Sequence, residues 1–176
     1  MTRLEQLLVF ILDRAKKEGK SDLSQFQLFK IPYLLQVYSL KYSGTPFLAD
    51  TVFIREQNGP ISVNVYAALE NLQKSGHVKK EVKENQQYGY AKHAFSLAGK
   101  MPPVSFDQAE IIFLDNFLPD LLKLTHKDLK KEAYETEPMK EIHAKEKGRH
   151  ILKGVVLNFN SVAVDPDVVD SYADEF

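Results

Sequence analysis

Leu4, Leu7, Leu8, Ile11, Leu12 and Ala15 recur at the spacing of a single apolar face, which predicts a helix at the start of the chain. Lys16-Lys17-Glu18-Gly19 closes it. Ser21 or Asp22 is placed to cap a second helix, because either side chain accepts from the exposed N–H groups of a first turn. That helix should run to about Lys41, with Leu28, Ile31, Leu35 and Tyr38 as its apolar stripe. Pro32 lies inside it; a missing N–H and a ring crowding the carbonyl of Leu28 predict a kink. Ser43-Gly44-Thr45-Pro46 ends the element.

Thr51 to Glu56 is short, β-branched and aromatic, and reads as a strand. Asn58-Gly59-Pro60 follows as a stiff corner: Gly59 precedes a proline, which favours extended backbone, and lacking Cβ it also tolerates positive φ. Ser62 is a good N-cap for a third helix, and it puts Ile61 and Tyr66 where a hydrophobic staple would form. That helix should bury Val65, Leu69 and Leu72 and end at Gly76. His77 to Lys83 and Tyr88 to Leu97 read as a β-hairpin turning at Asn85-Gln86-Gln87, with Val78 and Val82 on one side. After the Pro102-Pro103 break, Ser105 and Gln108 have the spacing of a capping box ahead of an apolar face at Ala109, Ile112, Phe113, Asn116 and Phe117. Pro119 should start a new turn, and Thr125 with Asp128 caps a further helix to about Tyr134. Lys140 to Arg149 reads as a solvated helix or loop, Val155 to Val164 as a late strand or extended arm, and Asp165 to Phe176 as an acidic tail. The expected fold is α+β and mainly α-helical: a short strand and a β-hairpin among helices, in winged-helix-like order, followed by C-terminal helices. Residues 1–150 should form one domain and 151–176 an extension.

Composition narrows the function classes. The 176 residues contain no cysteine, which excludes disulfides, thiol nucleophiles and zinc–thiolate sites. Lys plus Arg is 23 against 24 Asp plus Glu, so the basic excess usual for phosphate binding is absent from the total. The first apolar run is too short to span a membrane. A cytoplasmic protein without membrane contact is expected.

No catalytic constellation stands out. The five histidines show no i, i+4 pair and no ligand pattern, so neither metal nor cofactor is implied, and an enzyme is not expected. The hairpin lysines Lys79, Lys80 and Lys83 are interleaved with Glu81 and Glu84, as on a solvated edge, so nucleic-acid contact is not expected there. Arg55 and Asn58 at the corner, and Tyr33, Tyr38, Tyr42 and Tyr66 along the second and third helices, are residue types that dominate protein–protein contacts.

The stretch KIPYLLQVYSLKYSGTPFLADTVFIREQNGPISVNVYAAL resembles the core of the Panacea domain, found in SocA-like antitoxins and in phage-associated proteins of the GepA type. The matching positions are Lys30 and Tyr33, then Tyr42, Gly44 and Pro46, then Asp50, then Gly59, Pro60, Ile61 and Tyr66. Leu124, Thr125 and His126 resemble the family's Leu-Thr-His segment, and the likeness spans about residues 4 to 142. The resemblance implies an antitoxin that binds a cognate toxin protein directly, and in some members an adaptor that delivers it to a Clp-type protease. Under that reading, the contact-prone residue types at the corner and along the helices put the expected partner surface near Tyr33, Tyr42, Arg55, Asn58, Gly59, Pro60 and Tyr66. A winged-helix-like DNA-binding regulator and a phage accessory protein without a toxin are the alternatives.

Overall fold

The computed structural model describes residues 1–85, 89–148 and 150–167. Helix α1 (Arg3–Lys17) starts at a reciprocal cap: Thr2 Oγ1 accepts the Glu5 N–H at 3.2 Å, and the Glu5 carboxylate accepts the Thr2 N–H at 2.8 Å. Its predicted apolar face is buried, together with Val9 and Phe10.

A two-residue strand, β1 (Leu23–Ser24), comes next and moves the start of the second helix. The cap is Ser24, not Ser21 or Asp22: Ser24 Oγ accepts the Gln27 N–H, and Gln27 Oε1 accepts the Ser24 N–H at 2.9 Å. Pairing of Leu23 with Phe95 and of Ser24 with Ala94 keeps the chain extended until that point. Helix α2 (Gln25–Ser43) runs through Pro32 as one element. It is buried on nearly every side from Leu28 to Val37, so it is the central helix of the core rather than a striped surface helix. Gly44 ends it in the left-handed region at φ 71°.

The Asn-Gly-Pro corner is not a strand-to-helix joint. Strands β2 (Ile54–Glu56) and β3 (Gly59–Ile61) pair antiparallel around Gln57-Asn58, with Arg55 opposite Pro60 and Glu56 opposite Gly59. The strand expected from Thr51 is thus only its last three residues, and its partner is the corner itself. Gly59 has φ 99°, and a Cβ there would lie 3.0 Å from Tyr134 Cε2, so both backbone conformation and close approach call for glycine.

Ser62 caps α3 (Val63–Lys74) as expected, accepting the Asn64 N–H, and Val65, Ala68, Leu69 and Leu72 are buried. The long hairpin β4 (Val78–Asn85) and β5 (Tyr90–Leu97) completes a sheet of order β1-β5-β4. This is the order of a winged helix, and the fold is mainly α-helical α+β. Val78 is buried, but Val82 is exposed, because the hairpin extends beyond the core. Gln86 and Gln87 of the expected turn lie outside the described residues.

Helix α4 (Gln108–Lys123) departs from expectation in three ways. Asp107 and Glu110, not Ser105 and Gln108, form the capping box; Pro119 lies within the helix; and the buried face is Leu114, Leu118, Leu121 and Leu122. Phe113 and Phe117 pack at the edge of that face and Ile112 is exposed. Thr125 caps α5 (His126–Tyr134), accepting the Asp128 N–H at 3.1 Å. The charged run begins inside α6 (Glu137–Lys145), which buries Pro138, Met139 and Ile142. Residues 150–165 then return across the core: Val156 bridges Ile54, Leu157 N–H donates to Phe53 C=O at 2.9 Å, and Leu157 and Val162 are buried. No described helix is long and apolar enough to cross a membrane.

Candidate functional site

A groove of about 280 Å³ opens between the start of α2, the β2–β3 hairpin and the start of α3. Phe26, Phe29 and Tyr66 wall it, Asn58 stands at its rim, and Lys30 lies at its base, only 1% exposed. Tyr66 is half exposed and meets Phe29 edge-on at 4.8 Å between ring centres. The staple partner Ile61 lines the same groove.

Beneath the groove is a layer of buried polar groups. Lys30 Nζ donates to Pro60 C=O at 2.8 Å and lies 5.0 Å from the Phe26 ring centre. Burial, with Lys130 and Arg55 nearby, draws its pKa from 10.5 down to about 7. Arg55, 2% exposed, makes a two-pronged ion pair with Glu146 at 2.6 and 3.2 Å and donates to the Tyr134 hydroxyl at 2.9 Å. The Arg55 hydrogen bond holds the Glu146 carboxyl below its ordinary value, aided by a bond from the Leu152 backbone. Tyr33 is fully buried, its hydroxyl 2.6 Å from Thr136 Oγ1 and its ring edge-on to Phe53; burial raises its pKa.

The expected partner surface therefore divides. Tyr42, Asn58 and Tyr66 reach solvent. Tyr33, Arg55, Gly59 and Pro60 are interior, because a buried counter-ion, a buried hydroxyl partner and the hairpin ladder use the groups that would have faced a partner. Nor do the four tyrosines form one cluster. Tyr38 and Tyr42 pack on Phe117 at 5.1 and 5.4 Å near the far end of α2. Eight and twelve residues of helix, roughly 12 and 18 Å, separate Tyr38 and Tyr42 from Lys30.

Of the other motif positions, Lys30 is buried, Gly44 caps α2, and Pro46 and Asp50 are exposed in the following loop. Thr125 caps α5, and the next residue, His126, places Nε2 2.9 Å from Ser24 Oγ beside the Phe26 ring. Burial, then Lys92, lowers the His126 pKa. The hairpin lysine Lys83 pairs with Asp22 at 2.6 Å.

Sequence reasoning missed Glu146, Tyr134, Thr136 and Phe29. The first lies in a run of charge with no apolar periodicity, and its partner is 91 residues away. Phe29 follows the expected stripe by one position, which looks peripheral until α2 is found buried all round.

A family model described as antitoxin SocA-like, Panacea domain, matches residues 28–139. No curated protein and no solved structure matches the chain. The matched span holds Lys30, Tyr33, the β2–β3 hairpin, α3 and Thr136, and stops short of Glu146.

Proposed function

The chain belongs to the SocA-like antitoxin family with a Panacea domain, and from that membership we propose that it neutralises a cognate toxin protein by binding it directly. The supporting observation is the groove beside the β2–β3 hairpin: a preformed concavity with aromatic walls, an exposed tyrosine and an asparagine at the rim. Tyrosine carries much contact area at small entropic cost, and a cleft walled by such residues suits recognition rather than bond-making. The toxin enters with an apolar anchor against Phe29 and Tyr66, while Asn58 fixes its orientation. Delivery of the captured toxin to a Clp-type protease is the finer form of this reading.

Co-expression tests it. A reading frame beside this gene that is toxic alone should become tolerated when the full chain is supplied. Tyr66→Ala should reduce affinity for the purified toxin about tenfold or more without lowering the melting temperature, since the side chain is half exposed. Full capture by that variant would remove the groove from the interface. A toxin half-life that shortens only when antitoxin and protease are both present would support delivery.

The sheet order β1-β5-β4 behind three helices favours a second reading, a DNA-binding regulator. Charge speaks against it: on α3 Glu70 pairs with Lys74 at 2.6 Å, and the long hairpin mixes both signs. A salt-sensitive gel shift with the gene's own promoter would support it, and no shift at low salt would dismiss it.

A further inference from the structure

Two cations among the described residues are buried, and they differ in one respect. Arg55 has Glu146, whereas Lys30 takes part in no ion pair with a described residue. An ammonium withdrawn from water without a carboxylate is costly, and one backbone carbonyl uses only one of its three donors. Its surroundings add to the positive potential rather than cancel it. Lys130 reaches Asn58 Oδ1 at 3.3 Å across the hairpin loop, and the Arg55 guanidinium lies below. Glu56 is the acidic group on the groove wall, and it is engaged elsewhere, pairing with Lys153 at 3.8 Å and accepting the Gln57 N–H at 3.2 Å. A cation held at a cost at the base of an aromatic cleft has the form of a binding group whose counter-ion arrives from outside.

We propose that the toxin inserts an acidic side chain, Asp or Glu, flanked by an apolar residue, into the groove between α2, the β2–β3 hairpin and α3, where its carboxylate pairs with Lys30. The apolar neighbour packs on Phe29 and Tyr66. This inference rests on the antitoxin reading above and deepens it. The chemistry fits a carboxylate better than a phosphate. The groove lining offers one amine as a point charge, and among the described residues the fork-shaped donor beside it, Arg55, is already committed to Glu146. Lys30 is already withdrawn from water in the free protein, so pairing adds mainly the desolvation of the arriving carboxylate, whose charge in turn favours the protonated amine. The same arrangement penalises a toxin that presents an amide or an apolar group there, which gives specificity as well as affinity.

Two arms test the proposal separately from the antitoxin reading. In the first, the full chain with ¹⁵N-labelled lysine is titrated with N-acetyl-Phe-Glu-Leu-amide and with its Gln counterpart at millimolar concentrations. The Glu peptide is expected to shift the Lys30 side-chain resonance saturably and to bind about tenfold or more tightly than the Gln peptide. Equal binding of the two, no shift of Lys30, or equally good competition by inorganic phosphate would overturn the proposal. In the second arm, toxin affinity is compared for the wild type and Lys30→Met, with melting temperature as the control for folding. A loss of about tenfold or more in a folded variant supports the pairing. Undiminished capture by Lys30→Met overturns it and leaves the antitoxin reading intact. If the wild type captures no toxin, the antitoxin reading fails, and the peptides alone decide what the groove binds; they also decide if Lys30→Met does not fold.

Discussion

Lys30 and Arg55 show how much one counter-ion decides. Both side chains are buried, but only Arg55 has a carboxylate beside it. Burial pulls the Lys30 pKa to about 7, so between roughly pH 7 and the ordinary lysine value the unfolded chain holds a proton that the folded chain releases. Stability should therefore rise with pH across that window, with the full penalty present below it. Denaturant melts from pH 6 to about pH 9 should reveal this component in the wild type and lose it in Lys30→Met. At pH 6 the methionine variant should be more stable by about 1 kcal/mol or more, because an unpaired buried charge has been replaced by an apolar chain of similar length. Identical pH profiles would show that Lys30 keeps its proton in the fold. None of this was legible in sequence, where a lysine beside an apolar stripe has the polarity of a solvent-facing position. Arg55 was misread for the same reason. A contact role for Arg55 requires exposure, and reversing its charge would disrupt the core rather than only a docking face.

At the scale of elements, periodicity was readable wherever a helix buries a single face. Helices α1 and α3 follow their predicted stripes. It failed for α2, which is surrounded, and for α4, whose aromatic residues drew the expected face onto the edge of the true one. Caps were legible when the candidate was unique, as at Ser62 and Thr125, and misplaced when a hidden strand intervened. The two-residue strand β1 has too little pattern to detect, yet its pairing decides that Ser24 caps α2. Ser24→Ala should therefore cost about 1 kcal/mol or more, since the Gln27 N–H loses its acceptor. Ser21→Ala, at an exposed position outside the helix, should change stability by only a few tenths. Thermal melts of the two variants compare the caps directly, and a larger loss at Ser21 would contradict the observed boundary. The β2–β3 hairpin was half legible: Asn-Gly-Pro announced a turn, but the register that opposes Arg55 to Pro60 depends on partners no local rule contains.

For the whole molecule, the charged run and the segment after it close the fold. Glu146 clamps Arg55, the Gly154 N–H donates to the Arg55 carbonyl, and the Arg55 N–H donates to the Val155 carbonyl. Glu146→Gln removes the carboxylate from Arg55 and leaves it neutral acceptors such as the Tyr134 hydroxyl, so it should cost about 2 to 3 kcal/mol. The loss should appear in global denaturation and as faster amide exchange in both β2 and residues 150–157. A change confined to the charged run would show that the clamp is local. The general architecture, helices with a winged-helix-like sheet, was readable because it follows from element order. The closure was not, since it joins positions 91 residues apart.

That separation has a consequence in time. A ribosome adding about 5–20 residues per second makes the arginine of the short hairpin and supplies its carboxylate only some 5 to 20 seconds later. Until then the nascent chain carries an open ionic seam where the finished molecule is sealed. A product truncated before Glu146 keeps that seam open, with Arg55 lacking its carboxylate.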